Sequence, residues 1–164
     1  MKNVYIVGGT MGVGKTTVCT LLKQKLDSAV FLDGDWCWDS DPFQVTDETK
    51  EMVIENICYL LNNFIRCSAY ENIIFCWIMH KQSIIDAILS QLSLCECNVK
   101  AISLICNAVV LTQRLQNDIN SGQRQMNIIE RSLSRIPLYD SLNTIKIDVS
   151  SITPDEAARL IARS

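Results

Sequence analysis

The sequence predicts an α/β protein in three layers, a parallel five-stranded sheet with helices on both faces. Three observations predict it. Short apolar runs recur at residues 4–7, 29–32, 72–78, 99–106 and 144–148, with little of the in-out alternation that a half-exposed strand shows. Segments with helical periodicity separate them. A glycine-rich turn joins the first strand directly to the first helix.

Each element follows from its residues. Val4-Tyr5-Ile6-Val7 is a strand, and residues 15–26 read as a helix with Val18, Leu21, Leu22 and Lys25 on one face. Residues 29–32 form a strand that ends at Asp33. After an aspartate-rich, proline-containing stretch, Thr46 suits the N-cap of a long helix. Its apolar stripe is Val53, Ile57, Leu60, Leu61 and Phe64, and its wet face carries Glu48, Glu51, Glu55 and Asn62. Residues 72–78 are a third strand, 82–92 a helix, 99–106 a strand and 109–119 a helix. A polar segment over 120–127 precedes a helix at 128–135, and 144–148 is the fifth strand. Thr153-Pro154 opens a closing helix that reaches Ala162, with proline at its first turn. Strands alternating with helices imply right-handed crossovers. No repeat or linker interrupts the pattern, so residues 1–164 read as one domain.

Composition narrows the function. The 164 residues are 48% apolar and 20% charged with a net charge of −3, which gives no basic footprint for nucleic acid. No apolar stretch approaches the ~20 residues of a membrane span, and no secretory leader opens the chain, so a cytoplasmic protein is expected, a monomer or a homodimer. Eight cysteines then read as reduced thiols. Six of them (Cys19, Cys58, Cys67, Cys76, Cys95 and Cys106) lie in or beside apolar runs, as small hydrophobes do. Cys95 and Cys97 form one C-x-C with no second pair or spaced histidine to complete a zinc site.

The strongest motif is Gly9-Thr10-Met11-Gly12-Val13-Gly14-Lys15-Thr16, a full G-x-x-x-x-G-K-[ST] match between a strand and a helix. Glycines let the backbone turn its N–H groups inward, and the helix N-terminus adds positive potential for phosphates. Lys15 supplies a point charge for the β- and γ-phosphates, and the Thr16 hydroxyl suits Mg²⁺. With Thr17 just beyond, this segment is the expected ATP site.

Three features point to an acceptor. The second strand ends in Asp33-Gly34-Asp35-Trp36-Cys37-Trp38, and carboxyl ends of parallel strands face the ligand crevice. Two carboxylates there can divide labour, one toward Mg²⁺ and one taking a proton from a hydroxyl; an Asp-Gly-Asp run is otherwise a turn. Trp36 and Trp38 form either an aromatic wall for the acceptor or a plug against the core. Arg124 lies in the polar segment where a lid would sit, and Arg131 and Arg135, four apart, share a helix face. Arginine suits phosphate oxygens; Arg124 and Arg135 are expected at the site, and Arg131 in solvent. His80, after Trp77-Ile78-Met79, falls near the crevice as a structural hydrogen-bonding residue or a substrate contact.

These residues resemble the small P-loop kinases of the shikimate kinase and gluconate kinase group, including the chloramphenicol phosphotransferase type. The resemblance spans essentially the whole chain and rests on the 9–16 loop, Asp33-Gly34-Asp35, and Ser134-Arg135-Ile136-Pro137-Leu138-Tyr139. It implies a sheet in order 2-3-1-4-5, a lid at about 118–128, and adenine between the region of Arg114 and the loop after Asp148. It further implies Asp33 near Mg²⁺, Asp35 on the acceptor hydroxyl, and Arg135 near phosphate or substrate. The chain departs from the group in three respects. The third strand ends toward Trp77 and His80 rather than in the glycine run of shikimate kinases. The long helix begins with Lys50 in place of a carboxylate-clamping arginine. The Asp-Gly-x-Pro-Arg run of adenylate-kinase-like enzymes is absent. These departures speak against shikimate, and the aromatic residues suggest a neutral, partly apolar acceptor.

The resulting expectation is a phosphotransferase in which Lys15, Asp35 and Arg124 act on ATP·Mg²⁺ and a small-molecule hydroxyl, with Trp36, Trp38, Trp77, His80 and Arg135 around the acceptor. A nucleoside or nucleoside monophosphate kinase, and a non-catalytic ATP-binding module, are the alternatives.

Overall fold

The computed structural model describes residues 1–124 and 127–164. Five strands, β1 (Lys2–Gly8), β2 (Ala29–Asp33), β3 (Asn72–Cys76), β4 (Cys97–Ile105) and β5 (Ile145–Asp148), form one sheet in the order β2-β3-β1-β4-β5. Every pairing is parallel. Among the described residues six α-helices connect and cover it: α1 (Lys15–Lys25), α2 (Asp47–Arg66), α3 (Gln82–Leu89), α4 (Ala108–Asn120), α5 (Ile128–Arg135) and α6 (Pro154–Arg163). The three-layer architecture and the strand order are those expected.

Successive side chains of β1 point to opposite faces, and both faces are buried. Tyr5 and Val7 join Val18 and Leu22 of α1, Leu111 and Leu115 of α4, and Ala157 and Ile161 of α6 in one core. Val4 and Ile6 join Val53, Ile57 and Leu61 of α2 and Ile85 and Ile88 of α3 in the other. Two-sided burial explains why the strands read as continuous apolar runs. Each such side chain removed from water contributes about 1.5–3 kcal/mol.

Local signals fix the helix starts. Thr46 Oγ1 accepts from the Thr49 amide at 3.1 Å, and the Thr46 amide donates back to Thr49 Oγ1 at 2.8 Å, a reciprocal cap for α2. Thr153 and Glu156 cap α6 in the same way, with Pro154 at the first helical position. Lys25, read from its spacing as part of the α1 core face, instead forms an ion pair with Asp155 of α6.

Several boundaries differ from the sequence reading by one to three residues, β4 opening at Cys97 rather than residue 99 among them. β3 closes at Cys76 rather than at residue 78. α3 closes at Leu89, where i→i+3 bonds from Gln91 to Ile88 and from Leu92 to Leu89 replace its expected last turn. Of the cysteines assigned to apolar surroundings, Cys67 is half-buried because it caps the end of α2, and Cys95 is exposed because it lies in the turn before β4. No helix among the described residues is long and apolar enough to cross a membrane.

Register positions the site. Asp33 pairs with Cys76, and Cys76 with Val7, so β2, β3 and β1 end level with one another. The glycine loop, the Asp33-Gly34-Asp35 run and Trp77 therefore emerge side by side from the carboxyl edge of the sheet.

Candidate active site

The loop after β1 is built on close approach. A Cβ at Gly9 would lie 2.7 Å from Val13 Cγ1 and 2.9 Å from the Leu104 carbonyl oxygen, so only glycine fits against β4. Gly14 sits at φ 101°, a conformation side chains resist, with open space in front of it. It is the N-cap of α1 but has no side chain to cap with, and the first turn holds no acidic residue. The leading N–H groups of α1 are thus left for an outside anion. Lys15 Nζ donates to the Thr10 carbonyl at 3.0 Å, reaching back across the loop. Burial lowers the Lys15 ammonium below its ordinary value, against the opposing pull of the Asp35 and Asp33 carboxylates.

Across from the loop, Asp33 Oδ2 accepts the Thr16 hydroxyl at 2.7 Å, while its Oδ1 accepts the Asp35 amide at 3.1 Å. A hydroxyl and a carboxylate held this close form a hard oxygen pair of the kind Mg²⁺ takes. The residues present therefore fit both a polyphosphate and its metal. Asp35 opens onto the cavity, and its carboxyl is pushed up by burial and by Asp33; Lys15, a hydrogen bond from Trp77 and Arg124 pull the other way. The Trp77 indole Nε1 donates to Asp35 Oδ1 at 3.1 Å. Gly34 makes that contact possible, since a Cβ there would lie 2.6 Å from two atoms of the Trp77 ring.

A cavity of about 980 Å³ gathers these groups. At the upper end of ligand-pocket volumes, it has room for a nucleotide and a second molecule. Met11, Gly12, Val13 and Gly14 through Thr17 line one part, and Asp33, Asp35, Trp38, Trp77 and His80 line another. Arg114, Arg124 and Arg135 line it too. Arg114 bridges the loop to the segment after β5, donating to the Val13 carbonyl at 3.1 Å and to the Val149 carbonyl at 2.8 Å. Arg124 pairs with Asp118 at 3.0 Å. The expected lid at about 118–128 includes Gln125 and Met126, which lie outside the described residues.

Other expectations need correction. Trp36 is 60% exposed, packs edge-on against Phe31 at 5.3 Å between ring centres, and is absent from the cavity wall. The Gly34–Cys37 segment is a 3-10 turn, whose tighter winding sends residues two apart in different directions. Gly9 and Thr10 stand behind the lining. The Thr10 hydroxyl is spent on the Ser132 carbonyl at 3.1 Å, so its side chain serves the loop's seat on α5. Arg131 is exposed, as expected, and also lines the cavity, with Nη2 3.7 Å from Met11 Sδ; sharing a face with Arg135 was the signal that could have placed it there. His80 has its Nδ1 buried without a protein partner, and its imidazole is held below the usual range by burial, Arg135 and Lys81. Sequence reasoning missed Phe43, Val45, Ile78 and Ile84 as wall residues, the first two because their stretch reads only as a loop.

This fold and loop define a P-loop nucleotide-binding protein. A family model described as an AAA domain matches residues 6–134, and the chain belongs to that family. Among solved structures it is similar to a tunicamycin resistance protein from Deinococcus radiodurans, with TM-score 0.77, 20% identity, and coverage of 99% of this chain and 95% of that one. A gluconokinase from Sinorhizobium meliloti 1021 aligns with TM-score 0.70 at 18% identity, covering 96% and 87%. A shikimate kinase from Acinetobacter baumannii in complex with shikimate gives TM-score 0.63 at 21% identity, covering 99% and 92%. At these identities the likeness is one of fold, and it falls within the group that the sequence resembles. No curated protein sequence matches the chain.

Proposed function

We propose that the protein is a phosphotransferase that moves the γ-phosphoryl group of ATP onto a hydroxyl of a small molecule. The observation that carries this reading is the second carboxylate. Asp33 is occupied with Thr16, whereas Asp35 faces the same cavity as Lys15 with only one oxygen engaged. A protein that only bound nucleotide would have no use for it. The kinases among its structural neighbours support the same class.

In this reading the Met11–Thr17 backbone and Lys15 hold the phosphates, Thr16 and Asp33 hold Mg²⁺, and Arg114 borders the adenine side. ATP·Mg²⁺ supplies the phosphoryl group and screens its charge. Asp35 Oδ2 takes the proton of the acceptor hydroxyl as its oxygen bonds to the γ-phosphorus and the bond to the β–γ bridging oxygen breaks. The elevated proton affinity of Asp35 suits that work. Lys15 and Arg124 meet the charge on the transferring group, Arg124 by exchanging Asp118 for phosphate oxygens. Arg135, Trp38, Trp77 and His80 border the acceptor.

The test is an ADP-release screen over sugars, nucleosides, polyols and antibiotics with Lys15→Ala as the blank. Lys15→Ala abolishes turnover; Asp35→Asn removes transfer and leaves ATP affinity nearly unchanged. Near-normal transfer by Asp35→Asn to the best acceptor would overturn the assignment of the base.

A further inference from the structure

One stretch of the cavity wall, joined to Asp35 through Trp77, is largely apolar. Trp38, Phe43, Val45, Trp77, Ile78 and Ile84 line it. Trp38 stands at the centre of the aromatic group, edge-on to Phe43 at 4.8 Å and to Trp77 at 5.9 Å between ring centres. Phe43 and Val45 are each 56% exposed at the rim. Large apolar side chains grouped at a site and left uncovered by the protein mark a surface that a ligand covers. The one polar atom of the Trp77 ring is already used, because its N–H is donated to Asp35, so its remaining surface is apolar. Lys50, also on the lining, holds only an exposed surface ion pair with Asp47 at 3.1 Å. The polar groups that border the wall are Asp35 for a hydroxyl, His80 with Arg135 for one further substituent, and Asp39, Lys50 and Arg131 elsewhere on the lining.

A polyol or sugar acid would press its hydroxyls against this wall and lose their hydrogen bonds to water. A flat ring would cover the wall and lose nothing, and edge-to-face packing against tryptophan favours it further. We propose that the acceptor is a hydroxylated molecule carrying a flat, unsaturated ring, whose face covers the Trp38–Phe43–Trp77 group while its hydroxyl reaches the unengaged oxygen of Asp35. The inference rests on the phosphotransferase reading above and narrows it to ring-bearing alcohols, nucleosides among them.

Isothermal titration of the full chain, saturated with Mg²⁺ and a non-hydrolysable ATP analogue, tests it with four probes: 4-nitrobenzyl alcohol, uridine, gluconate and shikimate. At least one ring-bearing probe is expected to bind about tenfold or more tighter than either sugar-type acid. Trp38→Ala is expected to weaken that binding by a similar factor. Val45→Asp, a rim change far from the core, weakens it too and serves if Trp38→Ala does not fold. Equal or tighter binding of gluconate or shikimate overturns the proposal, as does no binding of either ring-bearing probe, or unchanged affinity in both variants. Failure of the ATP analogue itself to bind strikes instead at the phosphotransferase reading, which the Lys15→Ala blank examines separately.

Discussion

The Trp77 indole N–H donates a 3.1 Å hydrogen bond to Asp35 Oδ1, tying a residue just past β3 to one just past β2. Gly34 sits beneath the ring, where a methyl group would meet it at 2.6 Å. Gly34→Ala is therefore expected to displace the indole and break the hydrogen bond. Overpacking of this kind costs about 1–3 kcal/mol, so the melting temperature should fall by several degrees, at about 2–4 °C per kcal/mol for a chain of this size. Trp77→Phe keeps a ring but removes the donor. It should lower ADP release with a smaller loss of melting temperature than Gly34→Ala. Equal losses in both variants would mean that the bond matters only to packing.

Arg114 spans two carbonyls with one planar group. A lysine has a single ammonium and cannot repeat the fork. Arg114→Lys is expected to lose one of the two bonds, worth about 1.5 kcal/mol for a charged donor. That energy belongs to the fold, so the melting temperature should fall by about 3–6 °C, and ATP affinity measured by calorimetry should fall as the loop loses its tie. Unchanged affinity would remove Arg114 from the nucleotide side.

His80 carries a pH signature. Burial and the cations Arg135 and Lys81 lower its proton affinity in the folded chain. Once unfolded, the imidazole regains its ordinary value of about 6.5. Between the two values the unfolded chain binds more protons, so this contribution to stability is present above about pH 6.5 and shrinks as pH falls below it. His80→Gln removes the term. Its melting temperature should fall less than the parent's between about pH 7.5 and about pH 5.5, and a steeper fall would contradict the sign.

At the far end of the chain, Glu156 accepts from the Thr153 amide at 2.7 Å and from the Thr153 hydroxyl at 2.9 Å. Thr153→Ala removes the hydroxyl cap at a cost of about 1 kcal/mol. Thermal melting should register a drop of about 2–4 °C with ATP affinity intact.

What was legible in the sequence is what neighbouring residues decide. The glycine loop, the Thr46 and Thr153 caps and the α5 span of residues 128–135 depend on spacing within a few positions, and each stands as read. Strand-end logic also brought Asp33 and Asp35 to the loop, because parallel strands deliver their carboxyl ends to one edge. The rest depends on distant partners. Nothing near Trp77 in the sequence says that its N–H meets a carboxylate 42 positions away. Trp36 and Trp38 look equivalent until a 3-10 turn separates them. Arg131 reads as a surface charge unless the seat of α5 beside Met11 is known.

The reach of Lys15 back to the Thr10 carbonyl has a consequence for how fast and how cleanly the site fills. The ammonium serves as a placeholder that ties the loop together, and an arriving polyphosphate has to trade places with a carbonyl to win it. Little chain ordering is left for the moment of capture, and discrimination between guests then falls to whatever lies across from the loop.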